Sequence, residues 1–189
     1  TTGRKFGFGF VYAQLEVNAD VTVGADAALS ASNNVSVQAT STAKNEASAS
    51  SLARGENSVA LAVGIAVSDV NSSVSFAAGS KVDAGNSVLL KARTQSSFDL
   101  AVSAKSIENG KAGGAIGVAY QTTDASVDFA GAIGSVTRPN TVEFLAENDV
   151  SKNVVDVDVS VATGLIDQLA ALPTDAVFNK LPGAVQNFL

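Results

Sequence analysis

Cysteine, histidine, tryptophan and methionine are all absent from the 189 residues, and proline occurs only three times. Without His or Cys there is no Ser-His-Asp triad, no thiolate nucleophile and no conventional zinc site. Chemistry is thereby confined to carboxylate or lysine catalysis and to hard cations held by oxygen. With no cysteine there is no disulfide framework from which to read a redox compartment. Met is missing even at position 1, which fits a processed or excised chain, and no basic-then-apolar leader pattern is present. No uncharged apolar run reaches the roughly 18 residues of a membrane-spanning helix. Positive charge is scarce, 12 Lys and Arg against 18 Asp and Glu for a net charge of −6. That excludes nucleic acid as a partner, because neutralising phosphates takes clusters of cations. Only 16% of residues are charged while 46% are hydrophobic, a balance that favours a folded chain over a disordered one.

What is present repeats. Shifted by 53 positions, "ADVTVGADAALSASNNVSVQATS" (19 to 41) lies over "SSVSFAAGSKVDAGNSVLLKART" (72 to 94). "ASVDFAGAIGSVTRPNTVEFLAEN" (125 to 148) makes a third copy with one extra residue near Arg138. Apolar columns persist: Val21, Val74 and Val127; Val23, Phe76 and Phe129; Leu29, Val82 and Val136. Val35, Val88 and Val142 follow, then Val37, Leu90 and Phe144, then Ala39, Ala92 and Ala146. Their neighbours vary freely, as Ser36, Leu89 and Glu143 do. Fixed apolar positions at period two describe strands that bury one face. Columns at constant spacing favour units that stack on one another, so the expected fold is all-β, a parallel β-solenoid of about three 53-residue repeats (6–58, 59–111 and 112–164). A single antiparallel β-sandwich is the alternative; it needs no fixed spacing.

One fixed column is polar: Asn33, Asn86 and Asn140, each just before a V-x-[VLF]-x-A strand. It reads either as a turn residue tolerating positive φ or as an asparagine ladder whose amides bond along the coil axis. A second run, "KFGFGFVYAQ" (5 to 14), alternates glycine with phenylalanine. Gly7-x-Gly9 is not a phosphate loop, since no helix follows it. Shifted by the repeat it meets "VALAVGIAV" and "AGGAIGVAY", giving a bulky side (Phe6, Phe8, Phe10, Tyr12) and a nearly bare side (Gly7, Gly9, Val11, Ala13). This strand is expected to be buried on both faces, with its bare side against another backbone layer. Leu61 and Val88 are both read as core.

"SFDLAVSAKS", "IENGK" and "AGGAIGVAYQ" suggest an out-and-back, hairpin-like passage in each repeat, with four or five short strands beside it. After Gly164 the period stops. Leu165, Ile166, Leu169 and Leu172, then Val177, Phe178 and Leu181 after a Thr174-Asp175 N-cap pair, predict short amphipathic helices over 165–189. These are expected to cap the open end of the coil, or to connect to a further block. A membrane-surface role is disfavoured because Lys180 is the one cation there.

The best polar constellation puts Glu16, Asp69 and Thr122 in one column and Asn18, Asn71 and Asp124 in the next, with Asp20 alongside. Stacked carboxylates repel unless screened, and carboxylate and amide oxygens are calcium ligands, so Glu16, Asn18, Asp69, Asn71 and Asp124 are the candidate metal set. No D-x-D-x-D-G loop or GGxGxD nonapeptide accompanies them, and a solvated turn is the plainer reading. A carboxylate pair acting on a polysaccharide is a further alternative.

"AVGIAVSDVNSSVSFAAGSKVDAGNSVLLKARTQ" resembles the repeats of large secreted filamentous adhesins of Gram-negative bacteria, the leukotoxin-type family especially. Val70-Asn71, Val74 to Phe76, Gly85-Asn86 and Val88 to Ala92 follow that family's order of turn, buried strand, turn and V-x-V-x-A strand. Val17-Asn18 and Asn34 to Ala39 match it in the first copy; the third departs at Thr123-Asp124 and Arg138-Pro139. The resemblance spans about residues 6 to 164. It implies a cell-surface or extracellular fibre of stacked β-coils that associates end to end, contacts host or matrix glycan or protein, and has no catalytic residues or cofactor. A calcium- or glycan-binding β-helical module is the second expectation, and a carboxylate-dependent polysaccharide-degrading enzyme the third.

Overall fold

The computed structural model describes residues 5–107 and 109–161; the segment 165–189, expected to form helices, lies outside the described residues. Every regular element among the described residues is a strand, and the strands repeat in threes. The first coil comprises β1 (Phe6–Val23), β2 (Ala28–Ala31) and β3 (Asn34–Arg54). The second has β4 (Val59–Phe76), β5 (Lys81–Ala84) and β6 (Ser87–Ile107), and the third β7 (Ala112–Phe129), β8 (Ala132–Ile133) and β9 (Thr141–Val161). Equivalent strands stack into three three-stranded sheets: A (β1-β4-β7), B (β2-β5-β8) and C (β3-β6-β9). All pairings are parallel. The chain is a parallel β-solenoid, and the antiparallel sandwich is ruled out.

Register follows the repeat. β1 pairs with β4, and β4 with β7, at a constant offset of 53 from Phe6↔Val59 to Phe76↔Phe129. β3 pairs with β6 at the same offset, and Val35, Val88 and Val142 are consecutive partners. Between β6 and β9 a bulge at Ser96/Phe98 adds one residue to the third coil. Bulges absorb such an insertion without ending the ladder.

Two expectations about the path are corrected. The hairpin-like passage is no hairpin: β6 belongs to sheet C and β7 to sheet A, so the two runs are not paired with each other. Each coil has two long strands of 18 and 21 residues and one of four or fewer, instead of four or five short ones. At ~3.3 Å per residue the long strands run ~60–70 Å, which makes the solenoid broad and flat. The column Leu29, Val82, Val136 also fails at its third member. Val82 pairs with Ile133, and Val136 is 87% exposed, because the third coil shortens one corner and lengthens the next.

Sheets A and C lie face to face and run in opposite directions, Gly9 opposite Ser50 and Asn45 opposite Val67. Near sheet B the space between them is filled by Val74, Phe76, Val82, Val88 and Leu90, with Phe76 and Phe129 rings 5.2 Å apart. Toward the opposite corner the filling is alanine with Leu100 and Val102. Between these two cores lies a polar waist. Ser41 Oγ donates to the Asn71 carbonyl at 2.5 Å, Ser72 Oγ to the Arg93 carbonyl at 2.8 Å, and Asn45 Nδ2 to the Val67 carbonyl at 3.0 Å and to Ser68 Oγ at 3.1 Å. Buried side-chain donors that find one particular carbonyl tie the register of one sheet to the other, since a slip would leave them unpaired.

The alanine core explains the glycines. A Cβ on Gly9 would stand 2.7 Å from the Ser50 carbonyl carbon, and one on Gly7 would stand 2.8 Å from the Leu52 carbonyl oxygen. The bare side of β1 faces a backbone at that distance, as expected. The bulky side does not face inward. Phe6, Phe8, Phe10 and Tyr12 are exposed on the outer surface of sheet A, and Leu61 is only half-buried beside them. The gap between the sheets is filled by Gly, Ala and Val, with Leu100 fitted against Gly64, so the large side chains of β1 point outward, which overturns for β1 the expectation of burial on both faces, and that of Leu61 as core.

Candidate interaction surfaces

The asparagine column forms a rung at the corner between sheets B and C. Asn140 Nδ2 donates to Asn86 Oδ1 at 3.2 Å, and Asn86 Nδ2 donates to Asn34 Oδ1 at 3.1 Å. The backbone rises through Asn33: the Asn86 N–H bonds the Asn33 carbonyl and the Asn140 N–H the Asn86 carbonyl, both at 2.7 Å. In the first coil the side-chain role therefore passes from Asn33 to its neighbour Asn34. An adjacent pair of asparagines in that copy was the available signal.

Glu16, Asn18, Asp69, Asn71 and Asp124 are brought together on the outer face of sheet A, with Glu16 over Asp69 and Asn18, Asn71 and Asp124 in one column. Amide donors flank the carboxylates. Asn18 Nδ2 donates to Glu16 Oε1 at 3.0 Å, and Asn71 Nδ2 donates both to Asn18 Oδ1 at 3.0 Å and to Asp69 Oδ1 at 3.1 Å. Thr122 Oγ1 adds a bond of 2.9 Å to Asp69, and Ser73 Oγ one of 2.7 Å to Asp20. Each stacked acid accepts from a neutral donor beside it, which offsets part of the repulsion expected between them. No group of three or more His, Cys, Asp or Glu that could hold a metal ion occurs among the described residues.

Asp83 carries a role that sequence reasoning missed. On β5 it points away from the core, yet it is buried because the third coil's longer corner folds over it. Its carboxylate accepts the Val136 N–H at 2.8 Å, the Thr137 N–H at 3.2 Å and Ser135 Oγ at 3.0 Å. The Val136 amide, with the Ser135 hydroxyl and the Thr137 amide, holds the carboxyl below its ordinary value of 3.8, against the opposing pull of burial. A group whose folded pKa is depressed contributes stability above its unfolded pKa and loses it as pH falls through the folded one. Asp83→Ala should therefore lower Tm at pH 7 and speed amide exchange at Val136 and Thr137. Its Tm deficit should close as pH falls below 3.8. A deficit that persists unchanged into that acid range would assign the effect to packing alone. The signal in the sequence was the extra residue near Arg138, which marked a longer corner without showing what would hold it.

The outer surfaces of the two broad sheets differ. Sheet C has mixed charge and internal pairs: Lys91 Nζ to Glu147 Oε2 at 2.8 Å, Arg93 to Asp149 at 3.3 Å, and Lys44 to Glu46 at 2.5 Å. A shallow hollow of about 230 Å³ there is lined by Glu46, Ala47, Ser48 and Asp99. Sheet A has no Lys or Arg in any of its three strands. Half of its outer surface is the acidic and amide array just described, and the other half is aromatic and aliphatic. Val63 and Ile65 in the central strand are buried there by their neighbours, with Val67 and Val118 packed beside them. The alternation of glycine with phenylalanine was visible in the sequence, but a strand apolar on both sides does not announce which side faces out. No family model, no curated protein and no solved structure matches this chain.

Proposed function

We propose that the chain is a structural and adhesive repeat module of an exported cell-surface or extracellular filamentous protein, non-catalytic, in which rigidity and reach are the function. One observation carries this reading: among the described residues the stacking is open and self-similar. β7, β8 and β9 each have a hydrogen-bonded neighbour on one side only among the described residues. The inward side chains of β9 (Val142, Phe144, Val155, Val157 and Val159) are 42–47% exposed where Val88, Leu90 and Val102 in the coil beneath are sealed. An apolar end with unpaired backbone groups is a template for one more coil. Stacking at about 4.8 Å per coil would lengthen such a body without altering any coil. The resemblance of the repeats to those of filamentous adhesins adds direction to the same reading.

The test is to image the intact parent polypeptide and record fibre diffraction from it. The expected result is a rod with a 4.7–4.9 Å repeat along its long axis. A globule, or that repeat lying across the axis, would refute the proposal.

A further inference from the structure

The outer face of sheet A has two halves that call for one kind of occupant. In the half next to the β3–β4 corner, Phe6, Phe8, Phe10 and Tyr12 are 40–59% exposed along β1, and Ile116 and Tyr120 are 46% and 45% exposed on β7. On β4 between them Leu61 is half-buried and Val63 and Ile65 are covered by their neighbours, so the exposed apolar surface is carried by β1 and β7 with Leu61 between them. In the row Phe8, Leu61, Gly114 the large side chains end at Gly114, where Leu61 leans over the vacant Cβ position with its Cδ2 3.0 Å from it. In that row the surface steps down from Phe8 to Gly114, while Ile116 and Tyr120 stand up further along β7. Continuous exposed apolar area rimmed by polar groups marks an interaction site.

Along the same strands lies the other half, with Glu16, Asp20, Asp69, Asp124 and Asp128 and no cation in the sheet. We infer that sheet A docks a cationic amphipathic polypeptide segment of another protein, its apolar side chains on the phenylalanine half and its Lys or Arg side chains on the carboxylate half. Complementarity sets the spacing. From Phe10 to Glu16 is six residues, about 20 Å along a strand, so an extended segment needs its cations about six residues from its apolar anchors.

Charge argues against the other occupants. An anionic lipid surface would be repelled by the five carboxylates. A second copy docked face to face would overlap over seven residues of three strands, about 320 Å² per partner, against the ~800 Å² of a standard interface. A neutral glycan can stack on the aromatics but leaves the carboxylates unused. This surface is on the side of the coil and does not depend on the end-to-end stacking proposed above.

The full chain is titrated with a fluorescein-labelled peptide of alternating Leu and Ser over six residues followed by alternating Lys and Ser over six. Control peptides carry Glu in place of Lys, or the same residues scrambled. The inference expects saturable binding of the Lys peptide, at least tenfold weaker at 300 mM than at 20 mM NaCl, and none of the Glu peptide. Phe8→Ser should weaken binding at least tenfold. The isosteric triple variant Glu16→Gln, Asp69→Asn, Asp124→Asn should weaken it and remove most of the salt dependence. Equal binding of Lys, Glu and scrambled peptides, or no effect of the triple variant, would overturn the inference. So would tighter binding of a soluble glucan or chitin oligosaccharide, or of phosphatidylserine vesicles, or a dimer in sedimentation that Phe8→Ser abolishes.

Discussion

Val88→Asp should leave a chain that no longer melts cooperatively, while Leu61→Asp, a change of the same kind in the adjacent sheet, should leave a folded solenoid. Val88 is 1% exposed and stacks between Val35 and Val142. Its surroundings are Val74, Val82, Leu90 and Ala92, none of which can donate a hydrogen bond from its side chain. A carboxylate placed there has no partner, and a buried unpaired charge costs about 3–5 kcal/mol or more. That is comparable to the whole stability of a domain, about 5–15 kcal/mol. Leu61 points outward between Phe8 and Gly114, where a carboxylate keeps its water. Its replacement loses some lateral contact, about 1 kcal/mol. Circular dichroism with urea titration separates the two outcomes. A soluble, cooperatively melting Val88→Asp variant would mean that the interior has been assigned to the wrong side of sheet C.

The second large effect is expected at Gly9. An alanine Cβ there would be 2.7 Å from the Ser50 carbonyl carbon and nearer still to its oxygen, and both atoms belong to a backbone held in the sheet C ladder. No side chain can rotate away, so β1 or β3 must shift. Overpacking of this kind costs typically 1–3 kcal/mol, equivalent to a fall in Tm of roughly 2–12 °C for a chain of this size. Gly24 supplies the control. Nothing lies within 4 Å of its Cβ position, and Gly24→Ala should be neutral or slightly stabilising. Equal melting temperatures for Gly9→Ala and wild type would show that sheets A and C are further apart at this corner.

The parts of the fold that were legible in the sequence share one property: an apolar column alternating with a column that varies. Val21, Val74 and Val127, or Val35, Val88 and Val142, sit beside positions such as Ser36 and Glu143, so inside and outside are distinguishable in the sequence itself. Phe6 to Tyr12 lacked that contrast. Both of its sides are apolar, and ordinary hydrophobic reasoning sends the larger side inward. The decision belongs to a tertiary distance, the separation of sheets A and C, which local sequence does not encode. The same cause misled the reading of a hairpin. Two runs joined by "IENGK" are as consistent with a corner between parallel sheets as with an antiparallel turn, and only the 53-residue pairing of each run with its own copy separates them. Val136 was misassigned for a third reason. A net insertion of one residue hid two opposite changes, a shortened corner before Ile133 and a lengthened one after it, held down by Asp83.

The carboxylate and amide array was legible as a set of columns but not as a set of bonds. Glu16, Asp69 and Asp124 fall where the repeat put them. That Asn71 bridges both to Asn18 and to Asp69 depends on side-chain rotamers within a flat parallel sheet. That each stacked acid also accepts from an asparagine two residues along its own strand could not be read from the columns.

Methyl NOE spectroscopy on valine-labelled protein reaches the heart of the account. Residues one repeat apart should lie one coil apart, about 4.8 Å, and residues two repeats apart about twice that. The Val88 methyls should show strong cross-peaks to those of both Val35 and Val142, with no direct cross-peak between Val35 and Val142. Absence of the two Val88 contacts, or a Val35–Val142 contact as strong as either, would contradict the stacked coil.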